Sequence, residues 1–387
     1  MNLGPFSASA WFKVKSSCPS TAQRGLRTVV YNTAVSRVHT LYNKTGRLGL
    51  PANFPHGART LRLTMKICSL LPSGTEILFA LGLGDQVAGV SDLCDFPAEA
   101  RSKPVVSHSK VDPSVLSSEE VEAAMIDLLA RGENPFELDQ EWLVKESPDV
   151  ILTQDLCHVC EVDAGQVTGV VAGMEVQPQV VVLQPRTFQD VLESFLQVGR
   201  ACGAEESAAQ TVGAIWERVQ IIQNRLPSVA ERPRVFSLEG INPLVVGGHW
   251  IPDLLDLAGG KQDMLASGCA AKRLEWNEVR GYDPDKLFVD LCSSDLARNL
   301  REAPWLEAQE GWRDLTAVKN GDVYLIDHSY FSRPGPRVIE GLEILAELTH
   351  PELFTGLVPK GTVVKLDAKR YACLPAGGLV ECFVPYH

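Results

Sequence analysis

Short runs of apolar residues alternate along the chain with longer stretches in which apolar positions recur every three or four residues. The runs are typical of buried parallel strands, and the longer stretches are typical of amphipathic helices. The predicted strands cover residues 65–71, 86–91, 149–154, 176–183, 234–238, 287–291 and 323–327, and the main predicted helices cover 77–83, 117–131, 138–146, 187–226, 251–258 and 338–348. This alternation predicts an α/β fold with parallel sheets.

The longest helical pattern divides the chain. It breaks near Gly203 and resumes at Glu205, and about 22 residues of helix up to Leu226 would extend roughly 33 Å, enough to connect two lobes. The fold class we expect is therefore α/β, with two Rossmann-like lobes joined by a long rigid helix. The predicted segments are a leader (1–64), an N-terminal lobe (65–186), a helical linker (187–231), a C-terminal lobe (232–354) and a hairpin-like extension (355–387).

Charge is distributed unevenly. Residues 1–75 contain ten basic and no acidic side chains, although the whole chain has a net charge of −12. The Ser- and Arg-rich leader lacks the apolar core of a secretory signal, and its composition is typical of a transit peptide; a disordered leader preceding Met65 is the alternative. We therefore expect a chloroplast or mitochondrial location if the leader is a transit peptide, a cytoplasmic location otherwise, and no secretion.

Several function classes are excluded by the rest of the chain. The body after the leader is acidic and would repel nucleic acid. Membrane insertion is not expected because no run of 18 apolar residues occurs. The motifs GxxxxGK[ST], GxSxG and HExxH are all absent, which removes the commonest nucleotide-binding and hydrolase classes. Ten cysteines in so long a chain do not indicate a disulfide framework, so a reducing compartment is expected.

Candidate chemistry is concentrated where a predicted strand ends at Gln154. Cys157, His158 and Cys160 follow that strand, and ligand-type side chains at such a strand end mark the binding crevice of open α/β sheets. The three residues could contact a ligand, bind a metal with Cys94 as a third thiol, cycle as a dithiol, or serve as structural thiols.

Two later loops carry further candidates. The glycines before His249 and Trp250 allow close approach to a ligand, although the same residues could simply form a turn before a helix. Tyr330 and Phe331 offer aromatic faces, and Arg333 offers a cation suited to carboxylate, phosphate or propionamide groups. Capping of the helix at 338–348 is the structural alternative for that loop.

Near the start of the body, Ser73 or Thr75 could cap the helix that follows, leaving free N–H groups at the strand end. Glu76 is expected to be structural, at the positive end of that helix. Asp92 and Asp95 are expected to be solvated loop acids rather than a catalytic pair.

Together these segments resemble a known family. Leu70-Leu-Pro-Ser-Gly-Thr-Glu-Ile, Gly89-Val-Ser-Asp-Leu-Cys-Asp-Phe-Pro, Arg234-Val-Phe-Ser-Leu-Glu-Gly-Ile-Asn-Pro and Ala258-Gly-Gly resemble the iron-siderophore/cobalamin periplasmic-binding proteins, also called class III or helical-backbone metal receptors. Thr153-Gln-Asp-Leu-Cys-His-Val-Cys, Gly248-His-Trp-Ile-Pro and Tyr330-Phe-Ser-Arg-Pro-Gly-Pro-Arg are similar to a leaderless, cobalamin-binding-protein-like subgroup. The resemblance covers residues 65–354.

The resemblance implies a non-enzymatic binding protein, a relative of transporter substrate-binding proteins that is not exported. Its ligand would be cobalamin or a related corrinoid, with haem or a ferric chelate as further options, held between the lobes; the transporter partner stays open. The implied ligand-binding residues are Ser73, Cys94, Cys157, His158, Cys160, Asn242, His249, Trp250, Tyr330, Phe331 and Arg333, with His158 as a candidate axial metal ligand. The alternatives are a thiol-dependent enzyme or redox and metal-handling protein using Cys157 and Cys160, and a scaffold without a ligand.

Overall fold

The computed structural model describes residues 65–112, 115–155, 164–226, 231–375 and 377–387. Residues 65–387 form one compact unit. The leader and the loop with Cys157, His158 and Cys160 lie outside the described residues. Within the described part, no helix is long and apolar enough to cross a membrane.

The first lobe is built on a six-stranded sheet. Its strands are β1 (Ile67–Ser69), β2 (Val87–Ser91), β3 (Val105–Ser109), β4 (Phe136–Leu138), β5 (Val150–Gln154) and β6 (Gln179–Leu183), in the order β4-β3-β2-β1-β5-β6. All neighbours are parallel except β3 and β4. Its helices are α1 (Pro72–Ala80), α2 (Ser118–Ala130), α3 (Gln140–Glu146) and α4 (Ala164–Val171). The fully buried β1 and the nearly continuous burial of β5 explain their unbroken apolar runs.

A helical segment leads from the first lobe to the second. It consists of α5 (Phe188–Cys202) and α6 (Glu205–Arg225), separated by Gly203 in the left-handed conformation. The Ser207 hydroxyl of α6 donates to the Leu81 carbonyl in the first lobe, 3.1 Å away. Further along α6, Arg218 makes a bidentate ion pair with Glu343 in the second lobe. The predicted lobe-connecting helix is confirmed.

The second lobe is built on a seven-stranded sheet. Its strands are β7 (Val235–Ile241), β8 (Leu244–Val246), β9 (Lys272–Arg273), β10 (Lys286–Val289), β11 (Val323–Ile326), β12 (Val363–Leu366) and β13 (Phe383–Pro385), in the order β13-β12-β11-β10-β7-β8-β9. Strands β7, β10 and β11 are parallel, and the outer strands are antiparallel. The helices are α7 (Ile251–Leu257), α8 (Trp276–Tyr282), α9 (Leu296–Glu307), α10 (Thr316–Asn320), α11 (Val338–Thr349) and α12 (Ala368–Ala372). The C-terminal residues thus add two strands to this sheet.

One apolar core extends across the helical segment into both lobes. It contains Ile67 of β1, Phe195 of α5 and Val219 of α6, together with Leu254 of α7 and Leu342 of α11. Because one contiguous core includes helices and strands from both sheets, separating the lobes would expose this shared apolar surface to water.

The start of α1 differs from the prediction. The helix begins at Pro72, its N-cap residue Leu71 makes no side-chain cap, and Ser73 and Thr75 lie inside the helix. The predicted cap by Ser73 or Thr75 is therefore wrong. The physical reason is that proline at the first helical position has no N–H to satisfy and a φ that already suits a helix.

Because Phe195 is completely buried within the shared core, truncating it should leave a cavity between the lobes. We expect Phe195→Ala to lower the free energy of unfolding by about 3–5 kcal/mol, measured by urea denaturation. The control is Ile221→Ala on α6, whose side chain is 56% exposed, with an expected change below about 0.5 kcal/mol. Equal losses in the two variants would contradict the shared core.

Candidate functional site

The candidate site is formed by loops at the carboxyl ends of the parallel strands. In the first lobe the loop after β2 carries Cys94 and Asp95. In the second lobe Asn242 follows β7, and residues 327–333 follow β11. An ion pair between Arg333 and Asp95 joins the two groups of loops. Arg333 also pairs with Glu76 of α1, and Asn242 donates to Glu119 of α2, so the carboxyl ends of the two sheets face each other. This is the edge at which open α/β sheets place their ligands.

The strongest contact between these loops is a buried cluster of charged side chains. Glu76, whose side chain is 0% exposed, accepts two hydrogen bonds from Arg337, from Nε at 3.0 Å and from Nη2 at 2.6 Å. Arg333 Nη1 lies 3.4 Å from the same carboxylate and also pairs with Asp95. Burial opposes ionisation of Asp95, but the hydrogen bond and charge of Arg333 lower its pKa below the ordinary value. Asp95 is thus an ion-pair partner of Arg333 and not a free loop acid.

Aromatic side chains surround this cluster. The guanidinium of Arg337 lies 4.4 Å from the centre of the Phe96 ring and 5.9 Å from that of the Tyr330 ring, within reach of cation–π attraction. Tyr330 is half-buried, and its carbonyl packs against Gly341, where an added Cβ would lie only 2.2 Å away. A glycine at this position is therefore needed to hold the Tyr330 loop against α11.

The structure brings two of the predicted aromatic residues together. Trp250 is 5% exposed and its indole N–H donates to the Phe331 carbonyl at 2.6 Å, while the Phe331 ring is 2% exposed. The two predicted motifs are therefore in direct contact. Both residues lie largely inside the second lobe, so each offers little ring surface outside it.

Of the predicted residues in the second lobe, His249 has the most unusual environment. Its φ of 55° is in the left-handed region, which is strained for residues other than glycine. The backbone is held in place because the His249 N–H donates to the Cys269 carbonyl at 2.7 Å and the Gly268 N–H donates to the His249 carbonyl at 3.0 Å. A Cβ at the preceding Gly248 would lie 2.2 Å from the Ala271 nitrogen. The loop is thus tightly packed and the position of His249 is well defined.

The imidazole of His249 has no hydrogen-bond partner within the described residues. Burial, and secondarily the charge of Arg186, lowers its pKa to about 4. The ring is therefore neutral at physiological pH, with a free nitrogen lone pair. Arg186 follows β6 and is exposed, and its guanidinium makes no ion pair in the part of the chain that the structure describes.

The remaining predicted residues occupy more ordinary places. Ser73 is 5% exposed within α1, and Cys94 is 4% exposed with its sulfur accepting a hydrogen bond from the Thr75 hydroxyl at 3.1 Å. Asn242 donates to Glu119 of α2 at 2.8 Å. In the described ranges, no group of three or more His, Cys, Asp and Glu side chains could hold a metal ion.

Sequence reasoning missed a buried polar pair in the second lobe. Asp290 follows β10, is 2% exposed and accepts a 2.7 Å hydrogen bond from the Ser237 hydroxyl, and burial raises its pKa to about 8. The two residues lie at a small gap in the packing of the second lobe that has no room for a water molecule and therefore is not a ligand pocket. The signal was an acid directly after the apolar run Leu287-Phe-Val.

The burial of the Glu76 cluster predicts that a single substitution in it strongly lowers the free energy of unfolding. Glu76→Gln removes the buried negative charge that Arg333 and Arg337 face, and we expect the free energy of unfolding to fall by about 3–5 kcal/mol. Chemical denaturation at low and high salt provides the measurement. Glu193→Gln is the matched control, because its ion pair with Arg200 is more than half exposed and should contribute below about 1 kcal/mol. Equal effects of the two substitutions would rule out a structural role for the cluster.

His249 predicts a dependence of stability on pH. Its folded pKa of about 4 is below the ordinary value of 6.5, so the unfolded chain binds more protons and folding is weakened as the pH falls from about 6.5 towards 4. The stability of the wild type relative to His249→Gln should therefore decrease by about 1 kcal/mol between pH 7 and pH 5.5. Urea denaturation of both proteins at the two pH values measures this. A difference that does not change with pH would contradict the burial of a neutral ring.

Known proteins resemble this chain in sequence or in fold. An uncharacterized ABC transporter substrate-binding lipoprotein of Bacillus subtilis strain 168 is 27% identical over 299 residues, which cover 75% of this chain and 81% of the relative. A cobalamin-binding protein of Halobacterium salinarum is 22% identical over 74% of this chain and 69% of its own length. The periplasmic heme-binding protein RhuT of Roseiflexus sp. RS-1 superposes with a TM-score of 0.56 at 18% identity, over 74% of this chain and 98% of that structure.

These relatives correct the predicted location. One is a lipoprotein and another is periplasmic, so the expected organellar or cytoplasmic location without secretion is wrong. A leader that is rich in Ser and Arg and poor in acidic residues does not by itself specify a cellular location. Among the cysteines of the described residues, Cys269 is disulfide-bonded, which also disagrees with the expected reducing compartment.

The match to a family model covers most of the compact unit. The model of the periplasmic binding proteins matches residues 67–330, from β1 through β11 to the Tyr330 loop. That range includes both sheets and the helical segment between them. The match agrees with the two-lobed α/β fold and with the resemblance inferred from the sequence motifs. The chain belongs to the periplasmic binding protein family.

Proposed function

We propose that the protein binds a metal chelate between the carboxyl ends of its two sheets, and that it acts by binding rather than by catalysis. The chelate is cobalamin, a related corrinoid or haem. Relatives that are named cobalamin-binding and heme-binding support this class of ligand. The facing loops of the two lobes support the location, since ligands of open α/β sheets bind at that edge.

The observation that carries the proposal is the imidazole of His249. It is half-buried, neutral, without a hydrogen-bond partner in the described residues, and held on a strained but tightly packed backbone. Strained residues are concentrated at functional sites. A neutral imidazole is a good ligand for iron and for related metals. His249 thus fits the metal of a bound chelate as an axial ligand.

A second contact for the chelate is Arg186, which the sequence analysis did not single out. Its charge acts on the His249 ring, and its guanidinium makes no ion pair within the described residues. Arg333, by contrast, is already paired with Glu76 and Asp95. Arg186 is therefore the better candidate for the carboxylate or phosphate groups at the rim of a chelate. Such a contact favours ligands with an anionic rim, as in haem.

The other proposed ligand contacts rest on the resemblance. Tyr330 is half-buried beside the charged cluster and retains ring surface for a ligand. The contacts by Cys157, His158 and Cys160, including His158 as an axial ligand, lie outside the described residues and stay predictions. The alternative of a thiol-dependent enzyme stays a prediction as well; turnover lost in both Cys157→Ser and Cys160→Ser would support that alternative.

Titration of the full chain with hemin and with hydroxocobalamin, followed by absorbance, tests the proposal. We expect saturable binding of at least one probe with a shift of its main absorption band. His249→Ala should abolish the shift and weaken binding at least tenfold, because the metal loses a ligand. Arg186→Ala should weaken hemin binding about three- to tenfold and leave the band position unchanged, because it removes only a charge contact.

The matched control is His387→Ala, which removes an exposed imidazole at the C-terminus and should leave binding unchanged. Absence of binding to both probes would overturn the proposed function. Binding with a band shift that persists in His249→Ala would keep the chelate as ligand and remove His249 as its axial contact.

A further inference from the structure

The N-terminus of α2 belongs to the first lobe by chain order but contacts the second lobe. The backbone N–H of Ser118 donates to Glu302 Oε1 at 3.1 Å, and its hydroxyl accepts a 3.1 Å hydrogen bond from Arg298 Nη2. Arg298 and Glu302 both lie on α9 of the second lobe. The first turn of α2 thus binds directly to a helix of the other lobe.

Two further side chains of α2 extend this contact. Glu119 accepts the 2.8 Å hydrogen bond from the Asn242 amide, and Glu122 forms an ion pair with Arg273 of β9. Asn242 immediately follows β7, so these contacts lie at the carboxyl end of the second sheet. Within five residues, therefore, α2 makes polar contacts with four residues of the second lobe.

The two residues of α9 that α2 contacts, Arg298 and Glu302, are held in place by contacts within the second lobe. Arg298 is 3% exposed, and its Nε donates to Glu302 Oε1 at 2.8 Å. Its Nη1 also lies 3.4 Å from the carbonyls of Cys292 and Ser293, in the loop after β10. Glu302 therefore presents a fixed negative charge to the N-terminus of α2, where a carboxylate is favoured by the helix dipole and the free N–H groups.

By contrast, α2 is weakly attached to its own lobe. Only Met125 and Leu128 are buried along its 13 residues, and Ile126 and Leu129 are 39% and 41% exposed. Its start is capped, because Ser117 and Glu120 form a reciprocal capping box. An isolated helix of 13 residues is only marginally stable in water, so once α2 leaves the second lobe its backbone hydrogen bonds should open at low cost, since little apolar surface becomes exposed to water.

We propose that α2 is a strap that closes the space between the lobes at the carboxyl ends of the sheets. The strap is held closed by Arg298, Glu302, Asn242 and Arg273, and it leaves these residues whenever a ligand enters or departs. The closed arrangement needs no ligand, because every contact that holds it is within the chain. The part of this inference that concerns ligand exchange rests on the proposed function; the opening of the strap does not.

The test weakens the side-chain contacts from the strap side and leaves the Ser118 N–H bond to Glu302 in place, because Arg298 is buried and its loss could disturb folding. In the triple variant Ser118→Ala, Glu119→Gln and Glu122→Gln, the amides of residues 119–130 should exchange with deuterium at least tenfold faster than in the wild type, without any ligand. The amides of α6 should be unchanged, which shows that the fold is intact. Asp127→Asn is the control, since Asp127 pairs with Arg131 at the far end of α2, where both side chains are more than half exposed.

Stopped-flow mixing with hemin, and with hydroxocobalamin, then tests the exchange of ligand. Both association and dissociation should be about three- to tenfold faster in the triple variant than in the wild type, with a nearly unchanged Kd, because opening precedes both steps. Unchanged deuterium exchange in α2 would overturn the strap. Faster deuterium exchange with unchanged binding rates would overturn its role in ligand exchange. If the wild type binds neither probe, the proposed function and the role in ligand exchange both fall, while deuterium exchange still decides whether the strap opens.

Discussion

The arrangement of the two lobes depends on one buried carboxylate. Glu76 has no exposed surface, and it faces Arg333 and Arg337 from the other lobe. Removing ions from water is costly, and the cost is recovered only when charges meet in a good hydrogen-bonding geometry. The bidentate Arg337 contact supplies that geometry. Any change in the relative position of the lobes at this point would leave buried charges unpaired, so these loops are strongly held together.

The contacts between the lobes therefore differ in strength from place to place. At Glu76 and along the shared core around Phe195, the contacts are buried and hard to break. At Ser118, Glu119 and Glu122 they are polar and partly exposed, and such contacts contribute little net stability. Motion should thus be confined to α2, while His249 stays in place on its packed loop. A rigid contact residue with a movable cover allows ligand exchange without separating the lobes.

Much of the fold could be predicted from the sequence because it depends on local patterns. The period of apolar residues in 205–226 predicted the lobe-connecting helix to within one residue of its observed end at Arg225. The start of the helix predicted at 117–131 was also correct to within one residue, since the capping box that sets it needs only residues three positions apart. At the site, the sequence placed the candidate residues at strand ends and connected them to a family. It did not reveal Arg186 or Asp290, which carry no motif.

By itself, then, the sequence determined the main alternation of strands and helices, the lobe-connecting helix and the family resemblance, because each depends on neighbouring residues. Only the tertiary structure decided which charges meet. Arg333 and Arg337 lie 257 and 261 positions from Glu76, and Arg298 lies 180 positions from Ser118. Spacing along the chain contains no information about such pairs, because they form only when two separate sheets have folded and packed. The position of His249 likewise depends on the tertiary structure, which packs its loop against Cys269 and Ala271.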